Sequence, residues 1–385
     1  LKVERKSKSL RLCNPEEKPR GLRNLGNTCF MNAVVQALGV ADVFRDYLTQ
    51  LPILEPDDDI IEDCILPMIS PRYNTRRAAL SFSSGYGEDL KHSSSLLAEE
   101  FRKVLISLSD VKSFHAYSPD DFFQAVWKIS PRFRGFQQQD AHEFLRCALD
   151  RLHCELKRCR IPESVDKWLE YACGDGQQFP STTAVSRIFE GSLQSQVVCQ
   201  TCLTASNKHE SFMDLSLDIY DTIGGTGNIH LSDCIRRFFD KEELGQCEQY
   251  MCGYCMDKRP STKQLMVKIL PTVLCIHLKR FRWTQYNKGK VDNMVIFPMS
   301  GLDISPFMAA STRNGHTSPV TFDLTSVVVH HGSGPTSGHY TSFGRRNSRW
   351  YHFNDSVVKP CPEQTVLQQK AYLLFYTRSP TSGVL

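Results

Sequence analysis

Two short segments, Val198-Cys199-Gln-Thr-Cys202 and Met251-Cys252-Gly-Tyr-Cys255, constrain the fold of this chain more than any other feature. Each presents two thiols with two residues between them, and two such knuckles make a tetrahedral four-thiolate set suited to zinc. The set contains no histidine, carboxylate or open position. Cys199, Cys202, Cys252 and Cys255 therefore read as a structural site for one zinc ion, and no organic cofactor is implied. The 50 positions from Cys202 to Cys252 exceed the gap of a compact zinc ribbon, so strands are expected to run between the knuckles. Cys247 lies nearby, but its Cys-x4-Cys spacing to Cys252 fits less well; the plainer alternative is four free thiols.

The sequence holds 15 cysteines, an odd number that cannot pair completely within one chain. That usage favours a reducing, intracellular compartment, nuclear or cytoplasmic. The N-terminus, Leu1-Lys-Val-Glu-Arg-Lys-Ser-Lys, lacks the apolar core of a secretory signal. It does not begin with Met, and sequence upstream is expected. No apolar run approaches the roughly 18–20 residues of a membrane span. A formal charge of +4 is too mild for a surface devoted to nucleic acid, so no direct nucleic-acid binding and no membrane association are expected. At 385 residues the chain exceeds the usual single-core range, which implies a lobed domain or subdomains.

Residues 1–20 read as a basic tail or linker and residues 379–385 as a second tail. Phe30, Val34 and Leu38 recur every four residues, which predicts a helix from Thr28, with Thr28 as its N-cap. Helical periodicity returns over Leu96–Leu108 and from Asp140 to Leu156. The Ser-, Gly- and Arg-rich stretch 70–95 reads as a loop or insertion. After Pro180 the pattern is strand-like: Ile188–Val198, Met213–Ile219, two runs within Gln264–Trp283 broken at Pro271, then Phe322–His330, Tyr340–Phe343, Arg349–Phe353 and Tyr372–Tyr376. Gly224–Gly227 and Ser300–Pro319 read as loops. A helical front and an antiparallel β end make the class α+β.

Chemistry concentrates in three further places. In Gly21-Leu-Arg-Asn-Leu-Gly-Asn-Thr-Cys29-Phe-Met-Asn32 a cysteine opens a helix, where unpaired N–H groups and the dipole favour thiolate. Gly26 permits a tight turn before it, and Asn24 and Asn27 offer amide donors for an oxyanion. Far downstream, Gly338-His339-Tyr340 follows a Gly-rich turn and presents a candidate base. Asn354, in Trp350-Tyr-His-Phe-Asn354-Asp355-Ser356, lies 15 residues further on, where an amide or carboxylate could orient the imidazole. Asp140 and Glu143, in Gln138-Gln-Asp140-Ala-His-Glu143, are three apart and share a helical face; an acidic pair for a basic substrate and an ordinary acidic helix N-terminus both fit. A His-Glu-x-x-His metalloprotease reading fails because Arg146 occupies the second ligand position.

Gly21–Asn32 resembles the Cys box of the ubiquitin-specific proteases. Gln138–Phe144 looks like that family's second box, and Gly332–Phe343 with Arg349–Ser356 its His box. The knuckles are similar to the zinc site of its fingers. The resemblance implies a papain-like hand over 21–378: a helical thumb over about 21–160, β fingers stapled by zinc over about 185–265, and an antiparallel β palm over about 265–378. It implies a thiol hydrolase that cleaves the bond between ubiquitin's C-terminal glycine and a lysine amine. Cys29 would be the nucleophile, His339 the base, Asn24 the oxyanion donor, and Asn354 or Asp355 the group orienting His339. Asp140, Glu143, Gln138 and Tyr340 would meet substrate, the two acids at the arginines of ubiquitin's tail. Loops around 286–293 and 331–337 would bound the cleft. Ser118–Glu143 and His330–His339 most resemble a nuclear member acting on nucleosomal histones, and a monomer is expected. An inactive ubiquitin-binding module, a papain-like protease of another family and a zinc-ribbon binding protein compete with this reading. Each leaves one of the four motifs unexplained.

Overall fold

The computed structural model describes residues 19–379 apart from 55–95, 111–112, 114, 136, 158, 160–161, 174–182, 221–228, 246–248, 284–287, 310–319 and 335–336. The 70–95 stretch, Cys247, the Gly224–Gly227 loop and most of both tails therefore lie outside the described residues.

The first described helix, α1 (Cys29–Gly39), is buried at all 11 positions, as an element apolar on every side must be. Phe30 closes an aromatic cluster with Phe133 and Phe144, the centroids 5.7–5.9 Å apart. Truncating such a ring to Ala would cost roughly 3–5 kcal/mol. Around it pack α2 (Asp42–Gln50), α3 (Leu97–Leu108), α4 (Asp120–Ile129), α5 (Ala141–Leu156), α6 (Glu163–Cys173) and the short α7 (Ala184–Phe189). The expected helices at 28, 96 and 140 are present; α2, α4 and α6 are additional to them. Thr28 does not cap α1 by its side chain. Its hydroxyl instead accepts a hydrogen bond from Leu25 N at 2.9 Å.

The expected strand from Ile188 begins later. Thr183 Oγ1 accepts from Ser186 N and starts α7, so Ile188 is helical and β1 spans Gly191–Cys199. The remaining elements are β2 (Ala205–Phe212), β3 (Leu215–Asp218), β4 (Ile229–His230), α8 (Leu231–Phe239), β5 (Glu242–Leu244), β6 (Tyr250–Cys252), β7 (Asp257–Arg259), β8 (Ser261–Ile269), β9 (Val273–Lys279), β10 (Phe281–Trp283), β11 (Lys288–Lys290), β12 (Val295–Ile296), β13 (Leu302–Asp303), β14 (Thr321–Gly334), β15 (Ser337–Arg346), β16 (Arg349–Asn354), β17 (Val357–Cys361), α9 (Glu363–Leu367) and β18 (Ala371–Arg378). Between the knuckles the chain thus runs through helix α8 as well as the strands expected there, β3 falling within the predicted Met213–Ile219 run.

Two sheets hold most of these strands, and β4 with β12, β6 with β7 and β10 with β11 form three separate pairs. The larger has the order β17-β16-β15-β14-β18-β9-β3, antiparallel except where β3 pairs with β9, and α1 packs against β14, β15 and β16. The smaller has the order β2-β1-β8-β5; Cys199 of the first knuckle closes β1, and Cys252 of the second closes β6 of the separate β6-β7 pair.

A polar strut joins α5 to the large sheet. His142 Nε2 donates to Asp214 Oδ2 at 2.9 Å, Ser216 Oγ donates to the same oxygen at 3.0 Å, and His277 Nδ1 donates to Ser216 Oγ at 2.8 Å. The His142 and His277 rings stack with centroids 3.8 Å apart. Burial of Asp214 opposes its charge, but the His142 contact and Arg146 hold it below the usual carboxylate range. Burial keeps His277 neutral, well below the ordinary histidine value. The unfolded chain takes a proton on this residue below about pH 6.5 while the folded one resists, so stability falls with acid from there. The melting temperature should therefore drop as pH goes from 7 to 5, with a shallower slope in His277→Gln. An unchanged slope would remove His277 from the acid response.

Candidate active site

The loop before α1 is ordered by one side chain. Asn24 Oδ1 accepts from Gly26 N at 2.9 Å and Thr28 N at 3.2 Å, around a turn in which Gly26 has φ 99°. That use of the oxygen turns the amide nitrogen the other way, where it donates to Asp355 Oδ2 at 2.9 Å. Its second N–H remains for another acceptor. Asn32, one turn along α1 from Cys29, donates to Asp355 Oδ1 at 2.7 Å. Leu22 N donates to the Asp355 carbonyl at 2.9 Å. Asn32 is a contributor that the sequence reading missed; the signal was an amide in a mostly apolar buried helix, where it, like Gln36, must have a partner.

Cys29 sits at the first turn of α1, 2 % exposed. His339 enters from β15, opposite His331 of β14. Its Nε2–H donates to Asn354 Oδ1 at 2.7 Å, whereas Asp355 Oδ2 stands 4.0 Å away. This leaves Nδ1 for the Cys29 thiol. The hydrogen bond with Cys29 is the main cause that lifts the His339 pKa to about 9; burial opposes it, and Asn354 and the Asp355 charge assist. His330, by contrast, is pushed down to about 4, chiefly by burial. The turn thus divides its two polar residues: Asn354 faces the imidazole, and Asp355 faces Asn24 and Asn32.

The acidic pair is not equivalent. Asp140 is the N-cap of α5, accepting from His142 N at 2.7 Å, and it also accepts the Tyr372 hydroxyl at 2.6 Å. Glu143 is about half exposed, with Arg132 3.4 Å away. Gln138 donates through Nε2 to the Gly338 carbonyl, fixing the residue before His339. Tyr340 was expected at the substrate, but it is only 2 % exposed, packed between the rings of His330 and Tyr372. A phenol this enclosed supports the site from behind.

The four knuckle sulfurs lie within 4.8 Å of one another, and Cys202 Sγ is 3.5 Å from Cys252 Sγ. Thiolates about 2.3 Å from a tetrahedral ion stand about 3.8 Å apart, so the set fits zinc. The two knuckles repeat one turn: Leu203 N donates to Cys199 O and Met256 N to Cys252 O, each donor residue having positive φ. The cluster of His142, Asp214 and His277 also has ligand types, but its donors are spent on each other and Arg146 Nε lies 3.9 Å from Asp214.

Comparison with known proteins gives the family. A family model described as ubiquitin carboxyl-terminal hydrolase matches residues 20–376. The chain belongs to the ubiquitin carboxyl-terminal hydrolase family. Human ubiquitin carboxyl-terminal hydrolase 3 is 43 % identical over 373 residues, covering 92 % of this chain and 67 % of that protein. Human ubiquitin carboxyl-terminal hydrolase 22 is 33 % identical over 390 residues, covering 93 % and 65 %. Among solved structures, the SAGA Ubp8/Sgf11/Sus1/Sgf73 DUB module bound to ubiquitin aldehyde matches with TM-score 0.66 at 26 % identity, covering 95 % of this chain and 71 % of that one. The α+β hand read from the family motifs is therefore the fold, and the resemblance to ubiquitin-specific proteases holds.

Two measurements follow from these contacts. Asn354→Ala should lower kcat by about 10²-fold or more and bring the His339 pKa down from about 9, because a hydrogen bond to the charged ring is lost. Asp355→Ala should also lower kcat while largely keeping that pKa, since its carboxylate serves Asn24 and Asn32. Equal pKa changes in the two variants would contradict the division. Metal analysis should find about one zinc per chain, and Cys252→Ser should cost thermal stability; a metal-free, fully stable protein would exclude the four-thiolate site.

Proposed function

We infer that this chain is a deubiquitinating thiol hydrolase, and the hydrogen-bonded series Cys29–His339–Asn354 is the observation that carries the reading. The Cys29 sulfur attacks the carbonyl carbon of ubiquitin's C-terminal glycine, and His339 delivers a proton to the departing lysine amine. The remaining N–H of Asn24, aimed by its own oxygen contacts and by Asp355, donates to the oxyanion. Water then attacks the thioester, giving its proton to His339, and Cys29 is regenerated. Asn354 keeps the imidazole in the tautomer that leaves Nδ1 toward sulfur.

The same resemblance supports a thumb, fingers and palm over about 21–160, 185–265 and 265–378, with one zinc at Cys199, Cys202, Cys252 and Cys255. The arginines of ubiquitin's tail meet Glu143 and Asp140, and Glu143 is the freer of the two. The substrate is ubiquitin on nucleosomal histones and the compartment the nucleus, supported by the resemblance of Ser118–Glu143 and His330–His339 to a nuclear member. The chain acts as a monomer.

Ubiquitin carrying a C-terminal electrophile should form one adduct, at Cys29, and Cys29→Ser should bind ubiquitin without turnover. Tight binding without an adduct would make the chain an inactive module. Glu143→Ala should cut kcat/KM about tenfold, and less than additively with loss of a tail arginine. Strict additivity would place Glu143 away from the tail. Faster turnover on ubiquitinated nucleosomes than on free chains supports the histone assignment; the reverse order refutes it.

A further inference from the structure

His339 is held through its backbone as well as its ring. Strand β14 carries β15 along one edge, with His331 directly opposite His339. Along its other edge β14 pairs with β18, but that pairing stops at Val329↔Ala371. Beyond it, the carbonyls of His330 and Gly332, two residues apart, leave the same edge of the strand. Lys290, at the end of β11, donates to both: Nζ lies 2.8 Å from His330 O and 2.8 Å from Gly332 O. One ammonium thus replaces the missing strand at the two peptides that flank His331.

The segment it grips leaves little slack. Gly332 and Gly338 have φ of 136° and 155°, and a Cβ on Gly338 would stand 2.3 Å from His331 O and 2.4 Å from His330 Nε2. Gln138 takes the Gly338 carbonyl from the side of α5. The hairpin bearing Lys290 is itself anchored. Phe281 of β10 pairs with Lys290, and the fully buried Arg280 donates to Ala371 O at 2.6 Å and to Val291 O and Asn293 O at 2.9 Å. Lys290 is partly desolvated, with Asp292, Arg280 and Lys370 as its charged neighbours. A desolvated ammonium between two carbonyls has a strong preference for keeping both.

We propose that Lys290 is a positioning residue for His339: by bridging His330 O and Gly332 O it fixes the strand opposite the imidazole and keeps that ring at Cys29. The proposal rests on reading Cys29 and His339 as the catalytic pair. Removing the ammonium leaves the backbone near His331 free to shift and loosens His339, while Asp140 and Glu143, the groups assigned to ubiquitin's tail, are untouched. The effect therefore falls on kcat, with KM nearly constant.

The test compares Lys290→Met, Lys290→Arg and Lys290→Gln in the full chain. Hydrolysis of a ubiquitin conjugate is one readout. The other is the pH profile of iodoacetamide alkylation at Cys29, followed by mass spectrometry without ubiquitin. Lys290→Met should lose about tenfold in kcat, with KM within about twofold. Its alkylation profile should lose the limb set by His339, which lies near pH 9 in the wild type. Lys290→Arg, whose guanidinium can also reach two carbonyls, should recover most of both. If Lys290→Met does not fold, the order Lys, Arg, Gln in kcat supports the proposal and equal values overturn it. Wild-type kcat and an unchanged alkylation profile in a folded Lys290→Met overturn it outright, as does a loss confined to KM. A wild type whose Cys29 alkylates with this profile yet hydrolyses no ubiquitin conjugate would refute the proposed function instead, and the alkylation arm would still decide the role of Lys290.

Discussion

The contact between α1 and the face of the large sheet is what every other part of the site relies on. Phe30, Met31, Val34, Val35 and Leu38 are each no more than 2 % exposed, so the helix has no solvent face to rotate toward. Fully burying side chains of this size contributes roughly 1.5–3 kcal/mol apiece. Ser326 Oγ adds a buried hydrogen bond to Ala37 O at 3.1 Å, fixing the far end of the helix to β14. Position and rotation of the thiol are therefore set by core packing, and the loops need only bring histidine and amides to it.

Those amides share one turn. Asp355 has φ 47°, a conformation that aspartate tolerates better than most residues. It is held there by Leu22 N on its carbonyl and by Asn24 and Asn32 on its carboxylate. The preceding residue orients the imidazole. A shift of this turn would disturb the imidazole and the Asn24 amide together, so the positions of the two are mechanically coupled.

The site was largely legible in the sequence because its parts are unusual where they stand. A cysteine opening an apolar helix, a histidine after a glycine turn and two matched knuckles each demand a reason. Asn354 and Asp355 could not be separated by sequence, since both could reach the ring; only the direction of each side chain shows which does. Tyr340 misled because adjacency to His339 along a strand means the opposite face, and that face is core. The missed helices α2, α4 and α6 do carry an amphipathic pattern, but at 9, 10 and 11 residues each is short, and tertiary packing supplies most of its stability. Lys290 carries no motif at all: its role comes from where β18 stops.

The position of β18 has a consequence for how the protein is made. It follows every other described strand in the sequence, yet it is seated between β14 and β9 in the interior of the large sheet. A sheet whose interior seat is filled by its last strand cannot close before that strand arrives. Cys29 is made well before β18, and the surface that holds β14, and with it His339, is complete only once residues 371–378 are in place. Long-range pairing of this kind is slow and comes late in folding. Until β18 docks, the Cys29 thiol has no fixed histidine beside it, so the order of the strands delays assembly of the whole site.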